Sequence, residues 1–176
     1  MKNHLGMWLF LASELLIFGV LIFLFQLTAN SHWTDFQTAS NDLHFYHGMF
    51  NTIVLLTSSY FVALAEHTKK RFWLLLAVTL GFVFLGVKGH EYYDLTMHGK
   101  FPLHFLPLPK GQTLFFSYYG FMTFLHGIHV MIGMMMLLYA WWEKEDHSLH
   151  ENVGLYWHFV DIVWVFLFPL FYLLGR

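Results

Sequence analysis

The chain has 176 residues, 57% hydrophobic and 11% charged, with a formal net charge of −2 and no cysteine. So few charges and so much apolar surface exclude an ordinary soluble domain and indicate a polytopic membrane protein; near-neutral charge removes nucleic acid as a partner. The lack of cysteine removes disulfides, thiolate metal sites and cysteine nucleophiles.

The first apolar segment covers residues 5–29. It is too long for a signal peptide and has no small-residue cleavage site after a short apolar core, so it reads as a retained helix. Glu14 lies about ten residues inside it, ~13–15 Å deep at the helical rise. A connection over residues 30–42 leads to a second segment, residues 43–66, with His47 in its first turn and Asn51, Thr57, Ser58 and Ser59 as hydrogen-bonding residues. A tight turn at 67–71 precedes the third segment, residues 72–93, which carries Lys88, His90 and Glu91 toward its far end.

The next connection, residues 94–112, contains Pro102, Pro107 and Pro109, which exclude helix and predict an ordered cap on one membrane surface. The fourth segment, residues 113–142, places Gly120, Thr123 and Gly127 at the spacing of a close-packing seam. His126 and His129 share a face near its middle, Met134–Met136 read as gap-filling or lipid-facing, and Trp141 and Trp142 form an interfacial anchor. After residues 143–152, the fifth segment runs over 153–174. Its YWHFVDIVW stretch sets His158 and Asp161 three apart on one face, and Pro169 interrupts it near the end. The predicted fold is all-α: one domain over residues 1–176, a bundle of five transmembrane helices.

Five crossings put the termini on opposite sides. Lys2, Lys69, Lys70, Arg71 and Lys144 fall on the side of the N-terminus; Lys100, Lys110 and Arg176 fall on the other, with Lys88 just inside the membrane. The positive-inside rule then predicts the N-terminus inside and the C-terminus outside.

An ionisable group at bilayer depth costs roughly 2.5–3.5 kcal/mol on insertion scales, so Glu14, Glu91, His126, His129, His158 and Asp161 each need a reason. A metal or haem site is one: His126 and His129 offer two imidazoles and His158 a third. The Glu-x-x-His pairs of carboxylate-bridged di-iron bundles are missing, however. A proton or ion route is another, with Glu14 its best component, though no inverted repeat or pair of broken helices indicates an autonomous transporter. The third is structural: such groups tie helices together through hydrogen bonds worth roughly 0.6–2 kcal/mol each.

Five stretches, in order, resemble subunit III of the haem-copper oxidases: GMWLFLASELLIFG with Glu14, NTIVLLTSS from Asn51, KGHEYYD from Lys88, FLHGIHVMIG from Phe124 and YWHFVDIVW from Tyr156. The resemblance covers essentially the whole chain and is most specific in the last two. Seven-helix members carry two further helices ahead of the Glu14-type helix, with lipid in the cleft between the two groups; here the first helix corresponds to their third.

The resemblance implies an accessory subunit that binds no haem or copper and packs on catalytic subunit I, where those cofactors reside. The complex reduces O2 to water and translocates protons in the bacterial inner membrane. Members are thought to sustain proton uptake and protect the catalytic subunit during turnover. Carried onto this chain, that makes Glu14 proton-related or lipid-facing. Glu91, His126, His129, His158 and Asp161 become structural polar ties, with no catalytic residue and no metal ligand; phospholipid is an admissible bound cofactor. SSYFVALAE at Ser58 and the VFLFPLFYLL ending look rather like a five-helix relative that accompanies nitric oxide reductases, and quinol oxidases also have a five-helix subunit III. The Glu14 carboxylate and KGHEYY favour the cytochrome c type.

Overall fold

A computed structural model of the chain describes residues 2–100, 108–143 and 147–176. The described residues are helical almost throughout: α1 Lys2–Ser31, α2 Trp33–Asn41, α3 Phe45–Thr68, α4 Phe72–Met97, α5 Lys110–Trp142 and α6 His147–Tyr172. Five of these, all but α2, are long and apolar enough to cross a membrane. The expected five-span, all-α architecture is therefore present. The expected proline-rich cap falls mostly outside the described residues; Pro109, at its end, is the N-cap of α5.

Two elements differ from the sequence reading. Residues 30–42 are not a simple connection but hold α2. Its Phe36, Ala39 and Ser40, at i, i+3 and i+4, form one buried stripe, which is enough to dock a short helix whose other face is polar. The second difference is α6, which begins at His147 rather than near 153, because the polar HSLHEN stretch adds helical turns before the apolar run. The helix also continues through Pro169 to Tyr172. That proline's missing N–H forfeits the bond to the Val165 carbonyl, but only one turn of helix follows it.

Helices α3, α4, α5 and α6 form a closed ring: α3 packs on α4 and α6, and α5 packs on α4 and α6. Helix α1 lies outside this ring along the α5–α6 side, and only 17% of its apolar window is buried, against 56% for α6. An aromatic cluster pins its far end. Phe25 of α1 meets Phe36 of α2 at 5.2 Å, Phe171 of α6 at 5.1 Å and Tyr118 of α5 at 5.7 Å between ring centroids, in tilted or edge contacts. Ser40 adds a hydrogen bond to the Phe171 carbonyl at 2.6 Å.

One tight interhelical approach is built around Trp157 of α6. A Cβ on Gly133 would lie 2.7 Å from its ring, and one on Gly81 would lie 2.6 Å from Met134 Sδ and 3.2 Å from Trp157. Met134 thus fills a gap between helices, as its flexible thioether suits it to do. Gly127, expected in the seam, is not tight: a Cβ there would meet only Leu85, at an ordinary 3.8 Å.

Candidate functional site

The intramembrane polar residues gather into three clusters, not one site. The first joins α1 to α5. Glu14 Oε2 lies 3.0 Å from His129 Nε2, and the two side chains are 14% and 11% exposed. The carboxylate read from sequence as the best component of a proton route therefore has a partner on another helix. The other ring nitrogen, His129 Nδ1, lies 2.8 Å from the Leu125 carbonyl. A carbonyl only accepts, so Nδ1 carries a hydrogen. The Nε2–Oε2 contact then holds a single proton, as imidazolium with carboxylate or as imidazole with carboxylic acid. Phe18 packs edge-on against the imidazole at 5.6 Å, and Tyr156 of α6 donates to the His129 carbonyl at 3.3 Å.

The second cluster joins α6 to α3. His158 Nδ1 and Ser59 Oγ are 2.5 Å apart. Asp161, one turn along α6, is buried at 2% exposure. Ser59 is its polar neighbour on α3, yet neither carboxylate oxygen reaches a hydrogen-bond partner in good geometry among the described residues. Just beside this cluster, Trp157 Nε1 donates to Ser58 Oγ at 3.1 Å and Ser58 Oγ donates to the Ala77 carbonyl at 3.0 Å, binding α6, α3 and α4 in one chain.

The third cluster lies toward the C-terminal side of the membrane. Lys88 and Glu91, both buried, form an ion pair at 2.9 Å one turn apart on α4. Lys88 Nζ also donates to Tyr119 of α5 at 2.7 Å and Tyr172 of α6 at 3.0 Å, so each of its three hydrogens has an acceptor. Tyr172 in turn donates to Glu91 at 2.7–2.8 Å. The ammonium stands 4.6 Å from the Tyr119 ring centroid and 5.1 Å from that of Trp164, within cation–π range. This ties α4, α5 and α6 together. The sequence reading noted Lys88 and Glu91 but not their tyrosines. The i, i+3 Lys–Glu spacing was the available signal; the tyrosines sit on two other helices and become neighbours only on packing.

His126 is fully buried, and among the described residues neither ring nitrogen has a hydrogen-bond partner. It packs as an aromatic: stacked on Trp164 at 5.4 Å and edge-on to Phe84 at 5.6 Å. So of the five residues expected as polar ties, Glu91, His129 and His158 bond across helices, while His126 is held by ring packing and Asp161 is buried beside Ser59. His126 and His129 do not converge with His158, and no group of three or more His, Asp or Glu among the described residues stands arranged to hold a metal ion. Chemically, the arrangement offers helix-to-helix ties and one proton-sharing pair near the bundle edge.

Comparison with known proteins gives one family. A model of the family described as cytochrome c oxidase subunit III matches residues 2–176. The chain is 28% identical to cytochrome c oxidase subunit 3 of Thermostichus vulcanus, an alignment covering 98% of this chain and 87% of the relative. It is 30% identical to a probable quinol oxidase subunit 3 of Staphylococcus epidermidis, covering 98% and 89%. Against cytochrome bo(3) ubiquinol oxidase subunit 3 of Buchnera aphidicola it is 27% identical, covering 99% and 96%.

Proposed function

The chain belongs to the cytochrome c oxidase subunit III family, and from that premise we propose that it is the accessory, haem-free and copper-free subunit of a bacterial cytochrome c oxidase. In this reading it packs on catalytic subunit I, which holds the haems and copper, and supports O2 reduction coupled to proton translocation without performing either. It lies in the cytoplasmic membrane with its N-terminus inside, in keeping with the Lys69–Arg71 turn on that side.

The observation that carries the accessory reading is how the polar groups are spent. The Lys88–Glu91–Tyr119–Tyr172 network is closed on itself, and the His158–Ser59 and Glu14–His129 contacts join helix to helix. Glu14–His129 is the contact among these that reaches α1, outside the four-helix ring, and we assign it the proton-related role. Relatives named as quinol oxidase subunits match this chain about as well as those named for cytochrome c, so a quinol oxidase is the second reading.

Mild-detergent purification through a tag on this chain tests the proposal. The expected product contains a haem- and copper-bearing catalytic subunit that reduces O2, and oxidation of cytochrome c against quinol by that product separates the two donors. A homogeneous monomer carrying its own stoichiometric haem or metal would sink the accessory reading. Proton flux by the chain alone in liposomes, abolished by Glu14→Gln, would replace it with transport.

A further inference from the structure

Three histidines and one carboxylate gather where α3 begins and α4 ends, on the membrane face of the C-terminus. His44 is the residue before α3 and His47 lies in its first turn, with their rings 5.0 Å apart between centroids. His90 of α4 meets the His47 ring edge-on at 5.9 Å. Asp94, one turn further along α4, sets its Oδ2 3.3 Å from His90 Nδ1 and 4.0 Å from His44 Nε2. No three of these groups converge to hold a metal ion.

The surroundings offer little to match further positive charge. Asp42, at the end of α2, is paired with Lys100 at 2.8 Å, and Arg176 lies over the Phe45 ring at 4.3 Å. Within α4, Glu91 is committed to Lys88 and Tyr172. His98, after α4, places Nδ1 2.8 Å from the Asp94 carbonyl. Asp94 is thus the carboxylate that His44 and His90 share. One imidazolium here faces that anion; a second and a third face each other. The free N–H groups at the start of α3 add to the repulsion, since a helix N-terminus disfavours cations. His47 Nδ1 is buried, with no hydrogen-bond partner among the described residues, and charge set back from water is screened least.

We propose that this corner is an acid-sensitive latch. With the imidazoles neutral, the start of α3 stays packed on the end of α4; charging them from the C-terminal face drives the first turn of α3 away. Histidine is the side chain that ordinarily changes charge between about pH 8 and 5, and clusters of it act as such switches. Opening relieves the repulsion, so acid favours it, and the stability of the corner falls as pH falls. The corner is continuous with α2, whose Phe36 meets Phe25 of α1 at 5.2 Å. The latch therefore bears on the seating of the helix that carries Glu14. The proposal goes beyond the accessory function and does not depend on it.

The test is hydrogen–deuterium exchange of the purified membrane assembly that retains the chain. Peptides covering residues 43–50 are read at about pH 7.5 and about pH 5.5, each rate divided by the intrinsic rate at that pH. The amides of His47 and Gly48 close the first turn on the His44 carbonyl at 2.9 and 3.3 Å, so they report its opening. The expected result is protection lower by about tenfold or more at the acid pH. The double variant His44→Gln with His47→Gln should keep the protection seen near neutral pH and lose most of the drop. Asp94→Asn removes the shared anion and should deepen the drop. His67→Gln, at the far end of α3, should behave as the unchanged chain. Equal protection at the two pH values overturns the proposal. So does a drop that the double variant retains in full, or one that extends equally to the far end of α3, which is general acid unfolding.

Discussion

Glu14 of α1 and His129 of α5 face each other at 3.0 Å, while the second nitrogen of the same imidazole is committed to the Leu125 carbonyl. That commitment fixes the proton count of the pair, whichever atom holds the proton. Glu14→Gln keeps a donor for a neutral imidazole and should leave the fold and the assembly intact. His129→Ala instead strands a carboxyl at depth, costing about 1–3 kcal/mol. Thermal unfolding in detergent should rank His129→Ala well below Glu14→Gln, with the double variant recovering part of the loss. Equal loss in both single variants would show that the contact is not what holds α1.

The Lys88–Glu91 pair should behave as a buried ion pair does. Lys88→Met leaves the buried Glu91 without its cation, bonded only to Tyr172, and should cost about 3–5 kcal/mol. Lys88→Met combined with Glu91→Gln should recover much of it. The measurement is helicity lost with temperature or denaturant, and a fully additive double variant would contradict the coupling.

Glycine substitutions separate tight from open positions. Gly133→Ala and Gly81→Ala drive a methyl into Trp157 or Met134 and should destabilise by about 1–3 kcal/mol. Gly81→Ala is the milder of the two if the Met134 thioether moves aside. Gly127→Ala and Gly86→Ala should stay within about 0.5 kcal/mol, since the first meets only an ordinary contact and the second meets nothing. Unfolding midpoints of the four variants, compared side by side, check the order.

Ser58 and Ser59 are adjacent in sequence but serve different partners. Ser59→Ala removes the His158 contact and Asp161's polar neighbour, and should cost about 0.6–2 kcal/mol. Ser58→Ala removes the acceptor of the buried Trp157 indole N–H and should cost at least as much. Trp157 fluorescence, shifted by Ser58→Ala but not by Ser59→Ala, gives a readout independent of stability.

The five spans were legible in the sequence because hydropathy over some twenty residues is a strong, local signal. Helix α2 was not, because its docking rests on three residues, Phe36, Ala39 and Ser40, in an otherwise polar stretch. The start of α6 was hidden for the opposite reason: a helix can extend beyond the apolar run, and HSLHEN does. Of the polar residues, the sequence named positions but not their pairings. Glu14 and His129 are 115 residues apart, and Lys88 and Tyr172 are 84 apart. Helix periodicity relates residues within one helix and says nothing of which face meets which neighbour. The family could be read nevertheless, since ordered motifs do not depend on knowing those contacts.

The separation between Glu14 and His129 also bears on how the chain is made. Helix α1 emerges before α5, and its carboxyl waits for that helix. At about 5–20 residues per second, 115 residues take about 6–23 s to synthesise. Through that interval α1 must stay in the bilayer on its own apolar content. Its mean hydropathy of 2.4 is the highest of the five spans. The surplus suits a segment that enters the membrane before its partner exists. Lowering it, for example with Leu15→Ser and Leu16→Ser on its exposed side, should show first as failed insertion of nascent chains rather than as instability of the finished bundle.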